Sequence, residues 1–319
     1  MISIVIPIFN EEESLQHLYE RLKSAGELWD DTYEVLFVDD GSIDNSLSLM
    51  TNIAARDGNF KVIKLSRNYG HQAAISAGIS LARGDAVIVM DSDLQDPPEE
   101  ITNFLEKWKQ GYQVVYAVRK FRKEGFLKRI AYATFYRALK NLASDLEIPL
   151  DAGDFCLMDR KVVDVLNKDM PEQKRFLRGL RAFAGFKQVG LSYDRPERAA
   201  GKSKYTFNKL LKLALDGIFD FSTFPLQIAS YLGAFISLTS FLVGMFFIVH
   251  RIIGFKIFGH SPSDTPGLAT LAAGVFFLGG LILLMLGVTG EYIGRIYIEV
   301  KRRPFYIVES VYFKDQREQ

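Results

Sequence analysis

Over roughly the first 118 residues, short apolar runs alternate with longer stretches whose apolar positions recur every three to four residues. The runs fall at residues 2–8, 35–38, 61–65, 86–90 and 114–117 and are rich in Val and Ile, the composition of strands buried within a sheet. Helical periodicity between successive runs supplies the crossover that parallel strands require, so the pattern predicts an α/β domain with a mainly parallel sheet. In such a sheet the ligand crevice lies beyond the carboxyl ends of the strands. Acidic residues follow three of these runs.

Beyond residue 119 the pattern changes. Basic helical stretches are mixed with an apolar segment at 151–158 and an expected strand at Gln188–Tyr193, which should complete one side of the crevice. Two uncharged runs, 228–249 and 268–290, are each long enough as a helix to cross a hydrocarbon core of about 30 Å. The helices of soluble cores rarely need uncharged runs of that length, so two transmembrane helices are expected. Lys202, Lys204, Lys209 and Lys212 precede the first run, and Arg295, Lys301, Arg302 and Arg303 follow the second. The connecting loop carries only Arg251 and Lys256. That bias predicts an integral inner or plasma membrane protein with both ends and the α/β domain cytoplasmic.

Ahead of the first run, Phe207, Leu210, Leu211, Leu215, Ile218 and Phe219 recur at helical spacing opposite Lys209, Lys212 and Asp216. Such a helix either lies in the headgroup plane or packs on a core. Residues 126–140 carry the same mixture and form either a second interfacial helix or a plain surface helix. The chain thus divides into an α/β domain over 1–205, a juxtamembrane amphipathic helix over 206–226, two spans with a short loop over 227–291, and a C-terminal tail over 292–319.

Composition narrows the function classes. In 319 residues, 39 Lys and Arg nearly cancel 38 Asp and Glu, which removes any whole-chain case for a nucleic-acid partner. The one cysteine, Cys156, excludes an intramolecular disulfide and suits a reducing compartment. The opening residues lack the basic leader of a signal peptide and read directly as a strand. The four histidines show no ligand spacing, and His71 reads as a packing or cap residue. The sequence GKS at 201–203 resembles the end of a phosphate-binding loop, but Pro196 stands where that loop needs its first glycine.

Three strand ends carry the candidate chemistry. DSDLQDPP at 91–98 places Asp91 and Asp93 one residue apart, a spacing that lets two carboxylates converge on a hard divalent cation, magnesium or manganese, and on a diphosphate. Taken alone it is equally an acidic turn ahead of a Pro-started helix. VDDGS at 38–42 sets Asp39 and Asp40 beside a tight glycine turn, where a base or ribose can hydrogen-bond or where Ser42 or Asp44 can cap the next helix. Pro7, Asn10 and Glu11 end the first strand in the same way. Three acidic ends on one rim favour a site over three unrelated caps.

In order, IVIPIFNEE (4–12), VDDGS (38–42), LSRNYG (65–70), DSDLQDPPE (91–99), GDF (153–155) and GKSKY (201–205) resemble the motif series of the polyprenyl-phosphate glycosyltransferases, relatives of dolichol-phosphate mannose synthase. The resemblance spans nearly the whole chain and includes the two apolar helices of the bactoprenol glucosyltransferase branch. It implies a GT-A type nucleotide-sugar-binding fold with C-terminal interfacial and transmembrane helices. By resemblance, Pro7, Asn10, Glu11, Asp39, Asp40, Asp91 and Ser92 would hold the nucleotide-sugar, and Asp91, Asp93 and Gln95 a Mg²⁺ or Mn²⁺ ion on its diphosphate. Asp154 would be the catalytic carboxylate. Arg119, Arg122, Arg198, Lys202, Ser203 and Lys204 would meet the lipid phosphate or the diphosphate. Cys156 departs from the pattern, because relatives often carry arginine there.

The implied reaction is a single in-line displacement that inverts the anomeric centre, with a UDP-sugar favoured over a GDP-sugar as donor, glucose the first choice, and polyprenyl phosphate at the membrane as acceptor. A phosphate nucleophile is already anionic near neutral pH, so Asp154 either orients it or takes its last proton. Two rivals remain. A processive polysaccharide synthase would carry a Gln-x-x-Arg-Trp motif, yet neither Trp29 nor Trp108 sits in that setting. A noncatalytic membrane scaffold would have no use for Asp91, Asp93 and Asp154. Gly290 and Gly294 offer small residues at helix-packing spacing, through which a homo-oligomer would form.

Overall fold

The alternation of strand and helix is realised in a sheet of eight strands, seen in a computed structural model that describes residues 1–119, 152–170, 172, 175–193, 224–253 and 267–314. Strands β1 (Ile2–Ile8), β2 (Tyr33–Asp39), β3 (Phe60–Leu65) and β4 (Ala86–Val89) are joined by helices α1 (Leu15–Gly26), α2 (Ser46–Arg56) and α3 (His71–Leu81). After α4 (Ile101–Lys109) come β5 (Val114–Arg119), β6 (Ala152–Asp159), α5 (Arg160–Lys168), α6 (Leu177–Phe183) and β7 (Gln188–Tyr193). The chain ends with two long helices, α7 (Phe224–Ile253) and α8 (Gly267–Val300), and a last strand, β8 (Val308–Tyr312).

The strand order is β7-β5-β6-β4-β1-β2-β3-β8. β1 pairs in parallel with both β2 and β4, so the order reverses at β1 and the crevice opens there. The sheet is mostly parallel, as the apolar runs predict, but β6 runs antiparallel between β4 and β5. That reversal brings the amino end of β6 to the carboxyl end of β4.

The β1 side chains are buried along its whole length, because helices cover both faces. Ile4, Ile6 and Ile8 pack with Leu15, Leu18 and Leu22 of α1 on one face, while Val5 joins Ala74, Ile75 and Ala77 of α3 on the other. α3 lies so close to the sheet that a Cβ on Gly78 would come within 2.2 Å of Val5 Cγ1 and 3.0 Å of Val38 Cγ2. At the amino end of the strands, buried Glu34 accepts hydrogen bonds from Ser3 Oγ (2.6 Å), Lys61 Nζ (2.6 Å) and the Arg83 N–H (2.8 Å). One carboxylate thus ties three strands together at the edge opposite the crevice.

β8 is absent from the sequence reading, which leaves its residues in a tail. It pairs antiparallel with β3, Val62 facing Tyr312 and Ile63 facing Val311, and a Lys64–Glu309 ion pair of 2.6 Å sits on the same edge. The chain forms two compact units, Met1–Tyr205 with Arg302–Gln319 and Thr206–Lys301. In the second unit α7 and α8 are long and apolar enough to cross a membrane, with hydropathic windows at Pro225–Phe246 and Phe277–Val300. The second window runs past residue 290, carrying Arg295 inside the helix, where it pairs with Glu291 at 2.7 Å. Gly233, Ser237 and Ser240 of α7 line a groove together with Leu278, Ile282 and Met285 of α8.

The close approach at Gly78 gives a prediction. Gly78→Ala should destabilise the sheet unit by about 1–3 kcal/mol through overpacking, despite alanine's better helix propensity. Denaturant unfolding followed by the fluorescence of Trp29 and Trp108 measures the loss. Val5→Ala in the Gly78→Ala background should recover part of it, since the added methyl then has space.

Candidate active site

The carboxyl ends of β1, β2 and β4 and the amino end of β6 meet at one rim, and each brings a polar group. The β4–β6 register pairs Val89 with Cys156 and Val87 with Met158. Continued two residues past β4, the same register sets Asp91 opposite Asp154.

The loops after β1 and β2 are laced together. The Asn10 backbone, at φ 56°, donates its N–H to Ser42 Oγ (3.1 Å), and Asn10 Oδ1 accepts the Ile43 N–H at 2.9 Å. The Glu11 N–H donates to Ser46 Oγ at 2.9 Å. Pro7 is buried within β1, in register with Val38. Asp39 is 1% exposed; Oδ1 accepts the Ser42 N–H at 3.1 Å, while buried Oδ2 has no hydrogen-bond partner. Burial pushes the Asp39 carboxyl above its ordinary range. Asp40 is spent on the loop: its two oxygens accept the N–H groups of Tyr69 (2.7 Å) and Gly70 (2.9 Å), shaping the turn that launches α3.

At the β4 end, Ser92 is buried and Leu94 adopts φ 58°. Asp93 Oδ1 accepts the Gln95 N–H at 3.1 Å. Asp96, which the motif reading leaves without a role, is buried and accepts the Tyr193 hydroxyl at 2.7 Å. The turn is thereby fastened to β7. Burial and the neighbouring Asp96, Asp154 and Asp93 carboxylates push Asp91 up to about 7.

Two cationic side chains that the sequence reading does not select stand among these acids. His71, the first residue of α3, lies 3.5 Å by Nε2 from Asp91 Oδ1 and 3.6 Å from Asp154 Oδ2. It is a bridge between carboxylates rather than a packing residue. Burial works against its charged form, but Asp154 and Asp91 outweigh that and hold its pKa above the ordinary value. Arg178 of α6 grips Asp154 with a two-bond fork, Nε to Oδ1 at 2.8 Å and Nη2 to Oδ2 at 3.0 Å. Burial would raise the Asp154 pKa, yet Arg178 and His71 together hold it well below the usual carboxylate range. One helical turn on, Arg181 is 2% exposed and donates to the Gly153 carbonyl at 3.3 Å. It also interacts with Cys156, so a guanidinium stands at Cys156 although the strand itself supplies none. Linear spacing could not reveal these partners, because they come from separate helices folded against β6.

Asp91 and Asp93 are the oxygen donors that a hard cation would use. Among the described residues no three His, Cys, Asp or Glu side chains form a complete metal-binding group. Two carboxylates within one turn would fit an ion that takes one or two carboxylates and completes its shell with substrate phosphates, a habit of magnesium. Arg119 is the last residue of β5, in register with Tyr193. Arg122, Arg198, Lys202, Ser203 and Lys204, with the expected helix at 126–140 and residues 206–223 of the one expected at 206–226, lie outside the described residues; Phe224, Pro225 and Leu226 belong to α7.

Residues 3–166 match the model of glycosyl transferase family 2. Over 311 residues the chain is 48% identical to the uncharacterized glycosyltransferase YkcC of Bacillus subtilis (strain 168), covering 97% of this chain and 94% of that one. Over 310 residues it is 42% identical to the bactoprenol glucosyl transferase of Shigella phage SfII, covering 97% of each. Among solved structures, glucosyl-3-phosphoglycerate synthase from Mycobacterium tuberculosis is similar at a TM-score of 0.47 and 20% identity, covering 69% of this chain and 77% of that one. The chain is a glycosyltransferase and belongs to glycosyl transferase family 2.

Proposed function

We propose that this enzyme transfers a single glucose from UDP-glucose to a polyprenyl phosphate, with inversion, at the cytoplasmic face of a membrane. The observation that carries the reading is the juxtaposition of Asp91 and Asp154 across the β4–β6 register, beside the switch point of the sheet. A donor-side acid just past the end of β4 and an acceptor-side acid on the neighbouring β6 suit one displacement between two phosphate-bearing substrates.

On the donor side, the unpartnered Asp39 Oδ2 suits an imide N–H such as that of uracil, which favours a uridine nucleotide. Asp91 and Asp93, with Gln95, would hold Mg²⁺ or Mn²⁺ against the diphosphate. When bound, the ion supplies charge neutralisation for the departing nucleoside diphosphate. On the acceptor side, a phosphate oxygen forms the new bond to the anomeric carbon as the bond from that carbon to the UDP oxygen breaks. Asp154, held ionised by Arg178 and His71, is a poor proton acceptor, so orienting the acceptor is its better role than general base catalysis. Arg119, Arg122, Arg198, Lys202, Ser203 and Lys204 remain the candidates for the two phosphate groups.

Glucose and a polyprenol are favoured because the SfII relative is a bactoprenol glucosyl transferase. The membrane reading rests on α7 and α8, and connectivity adds to it. The chain leaves the sheet unit before α7 and returns to it after α8. Whatever the pair crosses, it crosses an even number of times, so both flanks share one side. The lysine and arginine bias makes that side the cytoplasmic one.

Three outcomes follow. Full-length protein in detergent, given UDP-glucose, undecaprenyl phosphate and Mn²⁺, should yield a lipid-extractable monoglucosyl product. EDTA should abolish it, and Asp91→Asn should lower kcat by ~10²–10³-fold; a product that resists chelation would sink the metal-dependent reading. Second, because Asp91 titrates near 7, Mn²⁺ must displace its proton at lower pH. Binding followed by the Mn²⁺ paramagnetic resonance signal should weaken by about tenfold between pH 8 and pH 6, and Asp91→Asn should remove that dependence along with most of the affinity. Third, in the metal-free protein the raised Asp91 pKa means the folded state keeps a proton that the unfolded chain has released. The Asp91 contribution to stability should therefore be fullest below pH 3.8 and fall as pH rises towards 7, a slope that chemical denaturation should find flattened in Asp91→Asn.

A further inference from the structure

We propose that Arg178 is a positioning residue, whose guanidinium fork fixes the plane of the Asp154 carboxylate so that the acceptor meets it in one orientation. The inference rests on the reading of Asp154 as the acceptor-side acid and deepens it.

The geometry is that of a rigid clamp. The Arg178 bonds at 2.8 and 3.0 Å occupy one lone pair on each Asp154 oxygen. Such a planar two-point contact sets both the position and the rotation of a carboxylate, whereas a single donor sets only distance. Asp154 is largely enclosed, with 11% of its side chain exposed, so the clamp is weakly screened by solvent.

The clamp itself is anchored. Arg181, one turn along the same helix, holds the Gly153 carbonyl, so α6 grips both the backbone before Asp154 and its side chain. Arg181 is buried with Nε and Nη1 unpartnered, which costs stability, so the hold of α6 on β6 rests on the Asp154 and Gly153 contacts. The first residue of α6 is fixed in turn, because the Leu177 N–H donates to Gln72 Oε1 at 3.1 Å. Gln72 follows His71, which stands on the other side of Asp154. α3 and α6 thus reach Asp154 from two directions and are hydrogen-bonded to each other.

A positioning role predicts loss of turnover without loss of donor binding, and dependence on Asp154. The experiment is a double-mutant cycle on the full-length enzyme, reading kcat and the donor KM of lipid glucosylation. Arg178→Ala should lower kcat by ~10²-fold, the scale of a misplaced catalytic group, with donor KM within about twofold of wild type. Arg178→Lys, a point donor that cannot make the fork, should recover only part of the rate.

In an Asp154→Asn background, Arg178→Ala should cost less than about twofold, because the group it positions is already gone. The same large factor in both backgrounds would overturn the proposal, showing that Arg178 acts on substrate directly. A raised donor KM with unchanged kcat would overturn it as well. Tryptophan fluorescence melts identify any variant that fails to fold, and the lysine variant keeps the cycle measurable if alanine does. Wild-type protein that glucosylates no polyprenyl phosphate would instead refute the functional reading on which the cycle stands.

Discussion

Carboxylate crowding at the carboxyl rim of the sheet is the constraint around which this fold is organised. Asp91, Asp93, Asp96 and Asp154 share one small region, and mutual repulsion in a partly buried setting would drive such acids apart or force them to protonate. The chain answers each acid differently. Asp96 receives the Tyr193 hydroxyl, Asp154 receives the Arg178 fork, and His71 stands between Asp91 and Asp154. Asp91 is left with the least compensation, and its titration near neutrality records that deficit.

The same rim separates two kinds of acid. Asp40 is consumed by the Tyr69 and Gly70 N–H groups and is structural in effect: without it the loop before α3 would have two half-buried donors to satisfy. Asp39, its neighbour, keeps one oxygen buried and unpartnered, and groups of that kind are retained where a ligand completes them. Adjacent residues of one type thus differ: Asp40 is fully engaged by backbone donors, and Asp39 keeps one oxygen without a partner. Asp39 is the last residue of β2 and Asp40 the first beyond it, where the chain turns towards the loop before α3.

Much of this was legible from the order of residues. The strands of the first half announce themselves by composition, and the acids that follow them mark the rim, because both signals are local. Gln188–Tyr193 was equally plain. What escaped depends on contacts distant in the chain. The antiparallel course of β6 is decided by how the chain returns to the sheet, and no periodicity within 151–158 encodes direction. His71 reads from the sequence as a packing or cap residue, because a histidine bridging acids from two other parts of the chain has no spacing signature. Arg178 lies in a segment so rich in Arg and Lys that no single cation stands out. β8, VESVY, is too short and too far beyond the apolar helices to suggest that it belongs with β3.

That last strand has a consequence for how the protein is made. A ribosome releases the residues of β8 only after α7 and α8 have already emerged, so the edge of β3 stays unpaired while the two apolar helices seek their surroundings. An open β edge invites wrong partners, and here it is closed by a strand that follows two long apolar helices in the chain. Pairing of β8 with β3 therefore waits on the synthesis of both long apolar helices, and the sheet cannot gain its eighth strand before them.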